Sequence, residues 1–156
     1  MQGLALIKQK AVEIALTSPE GKLALQNIAD EIRGNCINAP NEATVASVFE
    51  INLFSALKDL TGKPYYPEKE LSVGTIRHTS KGRVDSKIGA LVIEFKSRLR
   101  SDASKIQARN QLSEYLDGLY VKNKNASYVG LVTDGVFCTI LQYEKGVLIE
   151  HTQYAV

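Results

Sequence analysis

Apolar and polar positions change period several times along the chain, and each change marks an element. Residues 4–16 repeat at helical spacing, with Leu4, Ile7, Ala11, Val12, Ala15 and Leu16 on one side. Ser18-Pro19-Glu20 reads as a cap followed by proline at the first helical position, opening a second helix through Ile28 and Ile32 that Gly34-Asn35 should stop. Pro40-Asn41-Glu42 starts a third helix to about Leu60, whose stripe is Val45, Val48, Phe49, Leu53, Ala56, Leu57 and Leu60. Thr61-Gly62-Lys63-Pro64 ends it. The period then falls to two. Residues 68–76 read as a strand, residues 77–83 as a basic polar loop, and residues 83–96 as a hairpin. Helical spacing returns over residues 102–121, with Leu112, Tyr115, Leu116 and Leu119 facing inward. Residues 128–133 and 136–143 read as strands around Asp134-Gly135, a type I′ turn signal, and Gly146 turns into a last strand near residues 147–150.

The order α-β-β-β-α-β therefore runs through the middle of the chain, which predicts an α/β fold with a mixed sheet and helices on its faces. Residues 1–36 read as a helical extension, 41–134 as the core and 135–156 as additional strands, all within one domain. At 156 residues the chain is long enough to bury about 68–70% of its unfolded surface without staples. Its 44% apolar content is that of an ordinary globular protein, and a net charge of +2 does not by itself announce a nucleic-acid binder. Cys36 and Cys138 lack metal-ligand spacing and read as small core residues of a reducing compartment. With no membrane-length apolar run and no signal peptide, the expectation is a cytoplasmic protein with no membrane partner.

The hairpin carries the chemistry. A two-residue loop at Gly89-Ala90 suits a type II′ turn with glycine at its first position. Counting back from it pairs Ile88 with Leu91, Lys87 with Val92, Ser86 with Ile93 and Asp85 with Glu94. Val84, Leu91, Ile93 and Phe95 then share an apolar face, while Asp85, Glu94 and Lys96 share the other. Two carboxylates directly opposite each other destabilise a sheet, and one should hold its proton unless a cation intervenes. A divalent metal would resolve the conflict, with Lys96 beside it to orient a water. Lys96 neutralising both acids in a partly solvated ion cluster would resolve it equally well. Glu50 is the lone charged side chain between Glu42 and Lys58, so a partner for it is expected. Gln107, Gln111 and Tyr115 lie four apart on one helical face.

Read together, Asp85, Glu94-Phe95-Lys96, Gln111-Leu112-Ser113-Glu114-Tyr115 and Glu50 resemble the PD-(D/E)xK nuclease superfamily. The resemblance is nearest to restriction-type cleavage domains with a Gln-x-x-x-Tyr motif, as found at the N-terminus of type I restriction subunits and of single-chain restriction–modification enzymes. Val84 stands where the name-giving proline would be. The resemblance implies a restriction-endonuclease-like αβββαβ core and Mg²⁺-dependent hydrolysis of DNA phosphodiester bonds, with Mn²⁺ as a substitute. Asp85, Glu94 and the Phe95 carbonyl would hold the metal, Glu50 would bind it through water or seat a second ion, and Lys96 would position the attacking water. Gln111 would contact phosphate, water or Lys96, and Tyr115 would brace the helix. Arg98, Arg100, Lys105 and Arg109 after the hairpin, and Arg77, Lys81 and Arg83 before it, would contact the DNA backbone, with Gln107 a further contact. His78 reads as a loop residue.

Motor, methyltransferase and target-recognition functions would come from further domains or subunits, and a homodimer would serve double-strand cleavage. Three alternatives stand beside this reading. They are a structure-selective nuclease of the same fold such as a junction resolvase, a catalytically silent nuclease-fold module, and an α/β interaction domain with a solvated charged face.

Overall fold

The computed structural model describes residues 10, 13–14, 16–62, 64–73, 82–151 and 154–155, with the backbone alone for 60–61, 70–73, 82–84 and 154–155. Helix 4–16 and the loop holding Arg77, His78 and Lys81 lie largely outside these residues, as does the side chain of Arg83. Helix α1 spans Pro19–Cys36, α2 Glu42–Thr61 and α3 Asp102–Lys122. The strands are β1 Glu68–Val73, β2 Gly82–Ile88, β3 Leu91–Phe95, β4 Tyr128–Thr133, β5 Phe137–Glu144, β6 Val147–Glu150 and β7 Tyr154–Ala155. The fold is α/β, and the order α2-β1-β2-β3-α3-β4 matches the pattern of hydrophobic periods.

Each helix starts on a side-chain cap that satisfies an orphan N–H. Ser18 accepts from Gly21, Asn41 from Thr44 and Ser101 from Ser104. Helix α1 does not stop at Gly34-Asn35 but continues to Cys36. Its last turn is held by packing, because Ile32 and Cys36 are buried against the core.

One mixed sheet runs β1-β2-β3-β4-β5-β6, and β7 adds to β5. All neighbours are antiparallel except β3 and β4, which are parallel and joined by the crossover through α3. Successive residues of β3 therefore face different cores. Ile93 and Phe95 pack with Ile32, Val45 and Phe49 under α1 and α2, while Val92 packs with Leu112, Leu116 and Val132 under α3. Among the described residues no helix is long and apolar enough to cross a membrane.

Three of the four expected hairpin pairs form, with Ser86 facing Ile93, Lys87 facing Val92 and Ile88 facing Leu91; the ladder ends before the expected Asp85–Glu94 pair, and the Asp85 side chain takes the Phe95 N–H instead. Gly89 alone carries the positive φ, +57°, as a type II′ turn requires. The β4–β5 connection departs from expectation. Thr133 pairs with Cys138, leaving four residues between them instead of a two-residue type I′ turn. The Asp134 side chain builds this loop, accepting the N–H groups of Val136 at 2.9 Å and Phe137 at 2.8 Å on one oxygen. Its other oxygen accepts Leu99 N–H at 2.7 Å. The carboxylate thereby ties the β4–β5 loop to the segment leaving β3.

Candidate active site

Three of the candidate side chains sit at the end of the hairpin, where β3 runs out toward α3. Asp85 turns its carboxylate into the sheet plane, and Oδ2 accepts the Phe95 N–H at 2.8 Å. In a strand the N–H and C=O of one residue point the same way, so the Phe95 carbonyl also looks toward β2 and Asp85. Glu94 lies on the α3 side and is 1% exposed. Its Oε1 accepts the Lys96 ammonium at 2.7 Å, whereas Oε2 is buried with no partner. A buried carboxylate oxygen left unpaired costs about 1–3 kcal/mol or more. The Lys96 backbone is held in turn by its N–H bond to the Thr133 carbonyl at 3.0 Å.

Burial dominates the proton affinities of both acids. The Glu94 carboxyl is pushed up to about 7, first by burial and then by the charge of Asp85, with Lys96 pulling the other way. Asp85 is raised by burial against the opposing effects of the Phe95 N–H and Lys96. For Lys96, burial would favour the neutral amine, but the bond to Glu94 and the charges of Glu94, Glu42 and Asp85 outweigh it and raise the ammonium's proton affinity.

Helix α3 covers this cluster. Gln111 donates to the Tyr115 hydroxyl at 2.7 Å, and Tyr115 is buried close enough for the charges of Glu94, Lys96 and Asp85 to act on its phenol. Burial comes first among the causes that raise the proton affinity of that phenol. Gln107 is exposed one turn nearer the helix start and shares an open groove with Gln111.

Two expected contacts fall elsewhere. Glu50 takes Lys69 as its ion-pair partner. Lys69 lines a cavity of about 360 Å³ together with Glu42, Ala43, Ala46, Asp85 and Phe95, so Glu50 borders the acids at one remove. The α2 acid whose charge acts on Asp85, Glu94 and Lys96 is Glu42. In the sequence Glu42 looks like an ordinary first-turn acid complementing the helix dipole. Arg109 is the second correction. Its guanidinium is bound to Glu150 on β6, at 2.7 Å through Nε and 2.6 Å through Nη2, and does not face the acids. Lys105 sets its ammonium 4.5 Å from the Phe137 ring centre. Arg98 and Arg100 are exposed on the loop that follows Lys96.

Among the described residues no three or more His, Cys, Asp or Glu side chains converge as a metal cage. Two carboxylates and a carbonyl nevertheless form a donor set suited to a hard cation that keeps several waters. The unpartnered Glu94 oxygen is the atom such a cation would satisfy. If a cation is held here, Glu42→Gln should weaken Mn²⁺ binding several-fold by removing about 1 kcal/mol of attraction across solvent-exposed space, a loss readable by titration calorimetry.

Comparison of the chain with models of protein families, with curated proteins and with solved structures finds no match.

Proposed function

We propose that the chain is a Mg²⁺-dependent nuclease domain of the PD-(D/E)xK type that hydrolyses DNA phosphodiester bonds and serves as the cleavage module of a restriction or other defence enzyme. The observation that carries this reading is the buried Glu94 carboxylate, with one oxygen on Lys96 and the other unpaired, beside Asp85. An ion cluster made only for stability would use both oxygens, since each unpaired buried oxygen is a cost.

Asp85, Glu94 and the Phe95 carbonyl would hold the cation. When bound, it supplies Lewis acidity at the scissile phosphate and acidifies water. Lys96, anchored through its backbone to β4, holds its ammonium where an attacking water and the charge developing on phosphate would lie. Gln111 and Tyr115 keep the α3 wall in place over Glu94 and limit access of bulk water. Arg98 and Arg100, exposed on the loop after Lys96, suit backbone phosphates.

The test is cleavage of supercoiled plasmid, linear duplex and branched DNA by the purified chain with Mg²⁺, Mn²⁺ or chelator. Cutting should require the metal and disappear in Asp85→Ala and Lys96→Ala; variants that cut as well as the parent would sink the assignment. Because the metal-free Glu94 carboxyl holds its proton up to about pH 7, a cation must displace that proton, and at sub-saturating Mg²⁺ the rate should fall roughly tenfold per unit below that value.

A further inference from the structure

A second cavity, of about 240 Å³, opens at the carboxyl ends of the parallel strands β3 and β4. This is the side of an α/β sheet on which ligands generally bind. Cys36 and Ile37 line it from the end of α1, Val136 and Phe137 from the β4–β5 loop, and Arg98 and Arg100 from the segment leaving β3. Its volume is below that of pockets for drug-sized ligands, and is suited to a single ring system.

The walls are of two kinds. Cys36, Ile37, Val136 and Phe137 make one part of the lining apolar, and the Lys105 ammonium lies 4.5 Å from the Phe137 ring centre. The rim is cationic: Arg98 and Arg100 are exposed, and among the described residues neither has a carboxylate partner. Asp134 also lines the cavity, but its two oxygens already accept three backbone N–H groups. It stiffens the wall, and although its charge still reaches into the cavity as far as Cys36, the two arginines outnumber it among the described lining residues. Ser97 lines the same cavity and directly follows Lys96.

We propose that this cavity is a subsite for one unpaired nucleotide of the DNA strand, with its base against the apolar part of the lining and its phosphate on Arg98 and Arg100. The inference deepens the nuclease reading and rests on it. A phosphate alone would leave the apolar walls wet, and a neutral apolar group would leave unused two guanidinium groups that have no carboxylate partner among the described residues. A nucleotide satisfies both, and an aromatic wall with arginine beside it is a stacking platform for bases of any sequence.

The experiment titrates the full chain, in chelator so that nothing is cut, with a short single-stranded oligonucleotide carrying one 2-aminopurine. Binding should quench the probe. Arg98→Ala/Arg100→Ala should weaken binding at least tenfold and reduce the slope of log affinity against log salt by about 0.7, the value for one neutralised phosphate on a single strand. Ile37→Glu, a half-exposed position at the cavity mouth, should abolish the quench, and Lys145→Ala on the far β5–β6 turn should change nothing. A parent that cuts DNA yet shows no quench, or folded variants that keep parental quench and affinity, would overturn the subsite and leave the nuclease reading standing. A quench that depends on Arg98, Arg100 and Ile37 in a chain that never cuts with Mg²⁺ or Mn²⁺ would do the reverse.

Discussion

Glu94→Gln should abolish metal-dependent cleavage, by roughly a thousandfold, while making the metal-free protein more stable at alkaline pH. Both effects come from one buried charge. The folded protein holds the Glu94 proton up to about pH 7, against 4.5 for an ordinary glutamate, so folding favours the protonated form. Below about pH 4.5 folded and unfolded chains are both protonated there and the residue costs nothing. Between 4.5 and 7 the unfolded chain ionises while the folded one does not, and stability is lost as pH rises. Above 7 the loss levels off at about 3 kcal/mol. Glutamine keeps an oxygen for Lys96 and removes the charge. Urea denaturation in chelator should therefore show a gain of about 3 kcal/mol at pH 8 and almost none at pH 4. A variant no more stable than its parent at pH 8 would show that burial is not what raises the Glu94 proton affinity.

Gly135→Ala should be the most damaging single-methyl change outside the acids. Gly135 has φ +79°, and a Cβ there would stand 2.4 Å from both Cβ and Sγ of Cys36. Left-handed backbone costs an alanine about 1–2 kcal/mol, and overpacking a filled core adds about 1–3. A loss of about 3 kcal/mol, measured by denaturant titration, is the expected sum. Cys36→Gly in the same chain should recover part of it, because the clash is with the cysteine side chain. If Gly135→Ala alone is neutral, the contact between the end of α1 and the β4–β5 loop is looser than the structure has it.

The hairpin was legible because a two-residue loop admits few registers and a one-residue slip would turn every side chain over. The cap at Ser18 and the helix start at Pro40-Asn41-Glu42 were legible because they are local chemistry. Four features were not, each for a physical reason. The β4–β5 loop looked like a tight turn because Asp-Gly favours one, but the Asp134 carboxylate is drawn off by Leu99, a partner remote in sequence. Glu42 gave no signal, since only the docking of α2 against the end of β3 turns a first-turn acid into a neighbour of Asp85. Arg109 looked like part of a basic run, yet each helical residue rotates about 100°, which carries it to the β6 side and onto Glu150. The near-complete burial of Glu94 was equally hidden. Alternation placed it with Asp85 and Lys96, but only the α3 crossover takes it out of water.

The parallel pairing of β3 with β4 also bears on how the chain reaches its native state. The hairpin can close within microseconds, whereas β4 must wait for a long loop whose ordering entropy is spent before any pairing rewards it. Glu94 stays hydrated through the early stages and meets its unfavourable surroundings when the crossover docks. Alkaline conditions should thus shorten the lifetime of the finished molecule more than they delay its formation.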